Sequence, residues 1–155
     1  MWREFVSGLF DDAEFNESAA QADLKRLEAA FDLTVPDELK TFLLETNGVE
    51  ADYAPLVWSV DEMIEQNQSF RDNEEFAQLY MPFDCLFFFG GEGNGDQFGY
   101  RVLAGQIRDT SWVFKWDHES DNREWFARDL KDFFQRSVPT DEEVPGQPPN
   151  RALEK

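Results

Sequence analysis

Apolar residues recur at helical spacing in three stretches of the chain and run without interruption in a fourth. Ala20, Leu24, Leu27 and Phe31 share one helical face, which predicts an amphipathic helix starting near Ser18, with Ser18 and Gln21 at capping-box spacing. A second helix is predicted from Pro36, whose fixed φ suits a first helical turn. Asp37 and Glu38 favour the positive end of its dipole, Leu39, Phe42 and Leu43 form its buried stripe, and Asn47-Gly48 stops it. Leu56 to Val60 reads as a short strand, followed by an acidic helix with ragged ends from Asp61 to about Phe76. The run Cys85-Leu86-Phe87-Phe88-Phe89 is continuous rather than alternating, the pattern of a central strand covered on both faces, and Gly90 to Gly95 ends it.

Phe98 to Leu103 and Trp112 to Trp116 are two further strands, joined by AGQIRDTS as an antiparallel pair. Asp121 and Glu124 stand at capping-box spacing before Phe126, Leu130, Phe133 and Phe134, which predicts a C-terminal helix packed on the sheet. After Val138 the chain holds four of its seven prolines and loses apolar periodicity. The expected organisation is one domain over 1–138 and a flexible, Pro-rich acidic tail over 139–155. Its class is α+β, a central, mostly antiparallel sheet flanked by N-terminal and C-terminal helices.

A chain of 155 residues supports one core, burying roughly 70% of the surface its unfolded form exposes. The material for that core is aromatic, with 16 Phe, 5 Trp and 3 Tyr. Against 33 Asp and Glu stand 14 Lys and Arg, a net charge of −19. Such a surface repels phosphate backbones and anionic membranes, so neither nucleic acid nor a membrane is an expected partner. It accelerates encounter with a basic protein, and it also keeps a Phe-rich fold in solution. Cys85 is the only cysteine, so no intramolecular disulfide forms. The N-terminal MWREFVSGLF has too short an apolar stretch for a signal peptide, and no segment approaches a membrane span, which together give a cytoplasmic expectation.

Chemistry is sparse. GGEGNGDQFGY (90–100) follows a strand, as phosphate-binding loops do, but lacks Gly-Lys-Ser/Thr, carries Glu92 and Asp96, and leads into another strand. Glu92, Asn94 and Asp96 alternate like calcium ligands without the bidentate Glu that closes such a loop; a wide turn with solvated or amide-bound acids is the other reading. Asp117-His118-Glu119 holds the only histidine, with no second His or Cys pair for zinc and no Gly-x-Ser-x-Gly elbow for hydrolysis. No catalytic residue, metal or cofactor is assigned, and a binding role is preferred to an enzymatic one. The candidate contact residues are Glu92, Asn94 and Asp96 on the Gly-rich turn, and Trp116, Asp117 and Glu119 at a strand end.

The order and spacing of VPDELKTFLLETNGV, LVWSVDEM, GGEGNGDQFGY and WVFKWDHESDNREWFARDLKDFF resemble the SUKH superfamily over about residues 20–135. Pro36, Asn47, Gly48, Trp58, Asp96, Asp117 and His118 fall on its pattern, while Val35 stands where Leu is frequent and DLKDFF replaces a Ser-Phe-x-x-Phe helix. That superfamily includes yeast regulators of cell-wall synthesis and bacterial antidotes to polymorphic toxins. The resemblance implies a cytoplasmic immunity protein that binds a basic, nuclease-type toxin domain. An intracellular regulatory or scaffold domain is the alternative. A nuclease must be cationic to hold its substrate, so an acidic inhibitor is physically apt.

Overall fold

A computed structural model describes residues 1–107 and 112–139. In chain order the elements are α1 (Trp2–Leu9), β1 (Glu14–Phe15), α2 (Gln21–Phe31), α3 (Asp37–Glu45), β2 (Val49–Ala51), β3 (Ala54–Val57), α4 (Val60–Asp72), α5 (Glu74–Leu79), β4 (Leu86–Gly91), β5 (Gln97–Leu103), β6 (Gln106–Ile107), β7 (Val113–Trp116), β8 (Arg123–Ala127) and α6 (Leu130–Ser137). Two antiparallel sheets result, β1-β2-β3 and β4-β5-β7-β8, with β6 folded back on the end of β5. The fold is α+β. The Pro-rich segment read as a tail lies, apart from Pro139, outside the described residues.

Every residue of β4 is buried, as its uninterrupted apolar run predicts. Its place differs from the expected one: β4 stands at the end of its hydrogen-bonded order rather than in the middle. The outward backbone groups are met by other means. Asn67, on α4 and 1% exposed, accepts from Phe88 N–H at 2.8 Å and donates to Phe88 C=O at 2.8 Å, so its amide acts as a fragment of a neighbouring strand. Arg71, one turn on, donates to Leu86 C=O at 3.0 Å, and Trp58 N–H donates to Phe89 C=O at 2.7 Å. β3 presses so close to β4 that any side chain at Gly90 would collide with the Leu56 carbonyl.

The helices cover this layer with the stripes their spacing predicts. Leu39, Phe42 and Leu43 of α3 are fully buried, and Phe133 of α6 meets Phe89 edge-on at 5.1 Å and Phe98 at 4.9 Å. Aromatic pairs at such distances add about 0.5–1.5 kcal/mol each beyond their area burial. The short helix α1, which periodicity did not single out, places Trp2 against Phe42 and Phe134.

Local signals were displaced where a tertiary partner claimed the side chain. Ser18 does not cap α2; its hydroxyl donates to Glu45 C=O, and Asp23 instead reaches back to Ala20 N–H at 2.9 Å. Pro36 precedes the first turn of α3 as its cap, with extended backbone. The acidic helix is two, broken at Asn73, whose Oδ1 accepts from Glu75 and Phe76 N–H. The helix expected to start at Asp121 begins at Leu130, where Asp129 accepts from Asp132 N–H at 2.7 Å, and residues 123–127 form strand β8. Asp121 has left-handed backbone (φ 62°) and turns the chain back onto β7, leaving its carboxylate to hold Trp116, Arg123 and Met81 N–H.

Glu38 ties three elements together, accepting from Leu130 N–H and from the Tyr100 hydroxyl, both at 3.1 Å. Burial raises its carboxyl to about 7 from 4.5, against the opposing effect of those two donors. The folded chain therefore takes up a proton here between pH 4.5 and about 7, and the contribution of Glu38 to stability falls as pH rises through that window. Glu38→Gln should add about 1–3 kcal/mol at pH 8 and little at pH 4, measured by urea unfolding at both values. Asn67→Leu strips both partners from Phe88 and should cost about 2–5 kcal/mol in the same assay.

Candidate functional site

The two segments carrying the candidate contact residues lie side by side, because β5 and β7 are antiparallel partners and Gln97 pairs with Trp116. The β4–β5 turn and the β7–β8 turn therefore meet at one end of the sheet. The Gly-rich turn is closed internally: Glu92 N–H donates to Asp96 C=O, and Asn94 Oδ1 accepts from Asp96 N–H at 2.9 Å. Gly95, with φ 110°, sits under the His118 ring, where a Cβ would come within 3.0 Å of it. The glycines thus serve a tight turn and a close approach rather than a phosphate cradle.

Asp96 is the junction of the two turns. Its Oδ1 lies 2.6 Å from His118 Nδ1 and also accepts from His118 N–H at 3.1 Å. Lys115 reaches across from β7, with Nζ 3.8 Å from Asp96 and 3.1 Å from Glu92. Partial burial works against ionising Asp96, but the His118 hydrogen bonds and the Lys115 charge outweigh it and hold the carboxyl below its usual range. The Asp96 hydrogen bond in turn raises the His118 pKa above 6.5.

The remaining candidates divide by exposure. Trp116 is 2% exposed, its ring packed edge-on against Tyr80 and Phe83, and its Nε1 donates to Asp121 Oδ1 at 2.8 Å. It anchors the strand end from the core. Asp117 spends one oxygen on Glu119 N–H at 2.8 Å, and the side chain of Glu119 points outward. Glu92 and Asn94 line a shallow groove of about 600 Å³ together with Asp52, Lys115 and Arg136. Lys115 and Asp121 organise this end of the sheet, yet no motif marked Lys115 and the capping-box spacing at Asp121 pointed to a helix start; their roles come from pairings made across strands.

Asp96, Asp117 and His118 place ligand-type atoms within 4.8 Å of one another. The chemistry does not favour a cation there. His118 Nδ1 is engaged by Asp96, and the Lys115 ammonium lies beside the same carboxylate, where it would repel a metal ion. The donor set fits a clamp between two turns better than a coordination sphere.

An α+β domain with two antiparallel sheets and a pair of turns clamped together at one sheet end is the class these features define. A family model described as SMI1-KNR4 cell-wall, of SUKH type, matches residues 21–134, and the chain belongs to that family. No curated protein matches the sequence. Among the described residues no helix is long and apolar enough to cross a membrane.

Because the His118 value is raised by its partner, the clamp's contribution is complete below pH 6.5 and fades as pH rises through the folded-state value. The depressed Asp96 value bounds it at the acid side: the contribution is present above 3.8 and is lost as pH falls through the folded-state value. An NMR titration should place the His118 midpoint above that of a His in an unfolded peptide, and Asp96→Asn should lower it. An unshifted midpoint in both proteins would show that the clamp does not form.

Proposed function

We propose that the protein is a cytoplasmic immunity protein that binds and neutralises a basic, nuclease-type toxin domain, acting by recognition alone with neither catalysis nor a cofactor. Membership of the SMI1-KNR4 family supports a protein-binding role. The observation that carries the toxin reading is the charge of −19, since a surface that acidic is complementary to one built to hold nucleic acid. The family description refers to the cell wall, and this favours a second reading, an intracellular regulatory or scaffold domain that recruits an endogenous partner.

In either reading the Gly-rich turn and the adjacent strand end contribute contacts. Glu92, Asn94, Asp117 and Glu119 supply polar groups, while Asp96 and Trp116 hold the two segments in place. The clamp between them makes the pair of turns rigid before binding, which lowers the entropic cost of association.

Co-expression with toxins encoded beside this gene should yield a stable complex and protect the host cell. Its association rate should fall as salt rises, because exposed charges are screened over about 8 Å at physiological ionic strength, while dissociation changes less. Replacing Glu92, Asp117 and Glu119 together by Gln, Asn and Gln should slow association about threefold to tenfold at low salt. Unchanged affinity and protection in a variant of normal Tm would remove these residues from the interface, and failure of every neighbouring toxin to bind would favour the regulatory reading.

A further inference from the structure

The carboxylates of this molecule are not equally free to meet a partner. Asp121 is paired with Arg123 at 2.8 Å, Asp132 with Arg136 at 2.8 Å and Glu92 with Lys115 at 3.1 Å, so part of their field is already neutralised. Asp12, Glu14 and Glu50 have no ion-pair partner among the described residues. Glu14 and Glu50 are moreover direct Cα partners across β1 and β2, both exposed. Like charges placed opposite each other on neighbouring strands repel, and the repulsion is relieved when a cation lies between them.

Beside this pair stands Tyr53, 98% exposed at the tip of the β2–β3 hairpin. Asp52 and Tyr53 both carry positive φ, 53° and 62°, as a two-residue loop of this kind requires, at positions where Asn and Gly are the usual occupants. Asp52 N–H donates to Asp12 Oδ2 at 2.8 Å, which fixes the tip to the segment before β1. The Gly-rich turn supports it from the other side: a Cβ on Gly93 would lie 3.1 Å from the Tyr53 carbonyl. Asp12, Glu14, Glu50 and Tyr53 line one depression of about 390 Å³. Trp125 is also exposed, but the Arg136 guanidinium already lies 5.2 Å from its ring. No cation–π partner of this kind covers Tyr53 among the described residues.

We propose that Tyr53, ringed by Asp12, Glu14 and Glu50, is the centre of the surface that docks a basic protein segment, with an arginine of the partner over the tyrosine ring and its charge shared by the carboxylates. The proposal rests on the protein-binding reading above and extends it, since Asp52 joins this face to the groove lined by Glu92 and Asn94. The chemistry is complementary in both parts: an aromatic face attracts a guanidinium, and facing carboxylates without internal partners gain most from one. An exposed tyrosine on a fixed hairpin, with only two rotatable side-chain bonds, also loses little entropy when covered.

The test uses the full chain in two arms. In the first, a nona-arginine peptide is titrated and followed by backbone NMR. The largest shifts should fall on residues 12–14 and 50–53, and Tyr53→Ala, or Glu14→Gln with Glu50→Gln, should weaken binding by about tenfold. A matched loss of charge elsewhere, Glu74→Gln with Glu75→Gln, should change it less than twofold. Tyr53→Gly suits the left-handed backbone and removes the same ring, so weakening in both Tyr53 variants cannot come from a disturbed turn. Shifts centred on α4 and α5, or equal weakening by the control pair, would overturn the proposal. In the second arm the same variants meet a toxin captured by co-expression. Unchanged affinity there rejects this face and leaves the immunity reading standing, whereas peptide binding at Tyr53 with no neighbouring toxin bound rejects that reading and leaves the face.

Discussion

A strand made of Leu-Phe-Phe-Phe-Gly-Gly has nowhere favourable to be except inside, and the fold is organised around satisfying its backbone there. β4 pairs on one side with β5, while its other side must find donors and acceptors away from water, since an unmet buried peptide group costs about 1–3 kcal/mol. Asn67, Arg71 and Trp58 N–H meet that need from α4 and the end of β3. This fixes the axial position of α4 along the strand, because Asn67 and Arg71 stand one turn apart and address Phe88 and Leu86, two residues apart. It also joins the two sheets, and the absence of a side chain at Gly90 is what lets β3 come close enough.

The same logic runs through the acids. A chain of net charge −19 gains stability from each carboxylate that finds an N–H or a cation inside the fold. Asp23 and Asp129 serve as helix caps, and Asp96 and Asp121 pin turns. Glu38 is the exception, capping the distant helix α6 although burial opposes its ionisation. What is left over is the charge available to a partner. The facing pair Glu14 and Glu50, beside a tyrosine held out on left-handed backbone, belongs to that remainder. The Gly-rich turn, the most conspicuous feature of the sequence, acts in part as its support.

The sequence by itself determined the elements whose evidence is periodic and long. The stripes of α2, α3 and α6, the buried run of β4 and the β5–β7 pairing were legible, because a repeat of 3.6 or an unbroken apolar run leaves the chain one way to bury its surface. Tertiary structure alone decided the short strands β1 and β2, which are too brief to show a period, and the strand β8, whose residues the capping-box spacing at Asp121 had assigned to a helix. It also decided the partners of Ser18 and Asp121, where a short polar side chain had several within reach. It alone brought Asp96 to His118 and Glu14 to Glu50, across 22 and 36 positions of chain. Local spacing carries no record of such meetings, because they depend on the register of strands, and register is set by the burial of β4 and its neighbours.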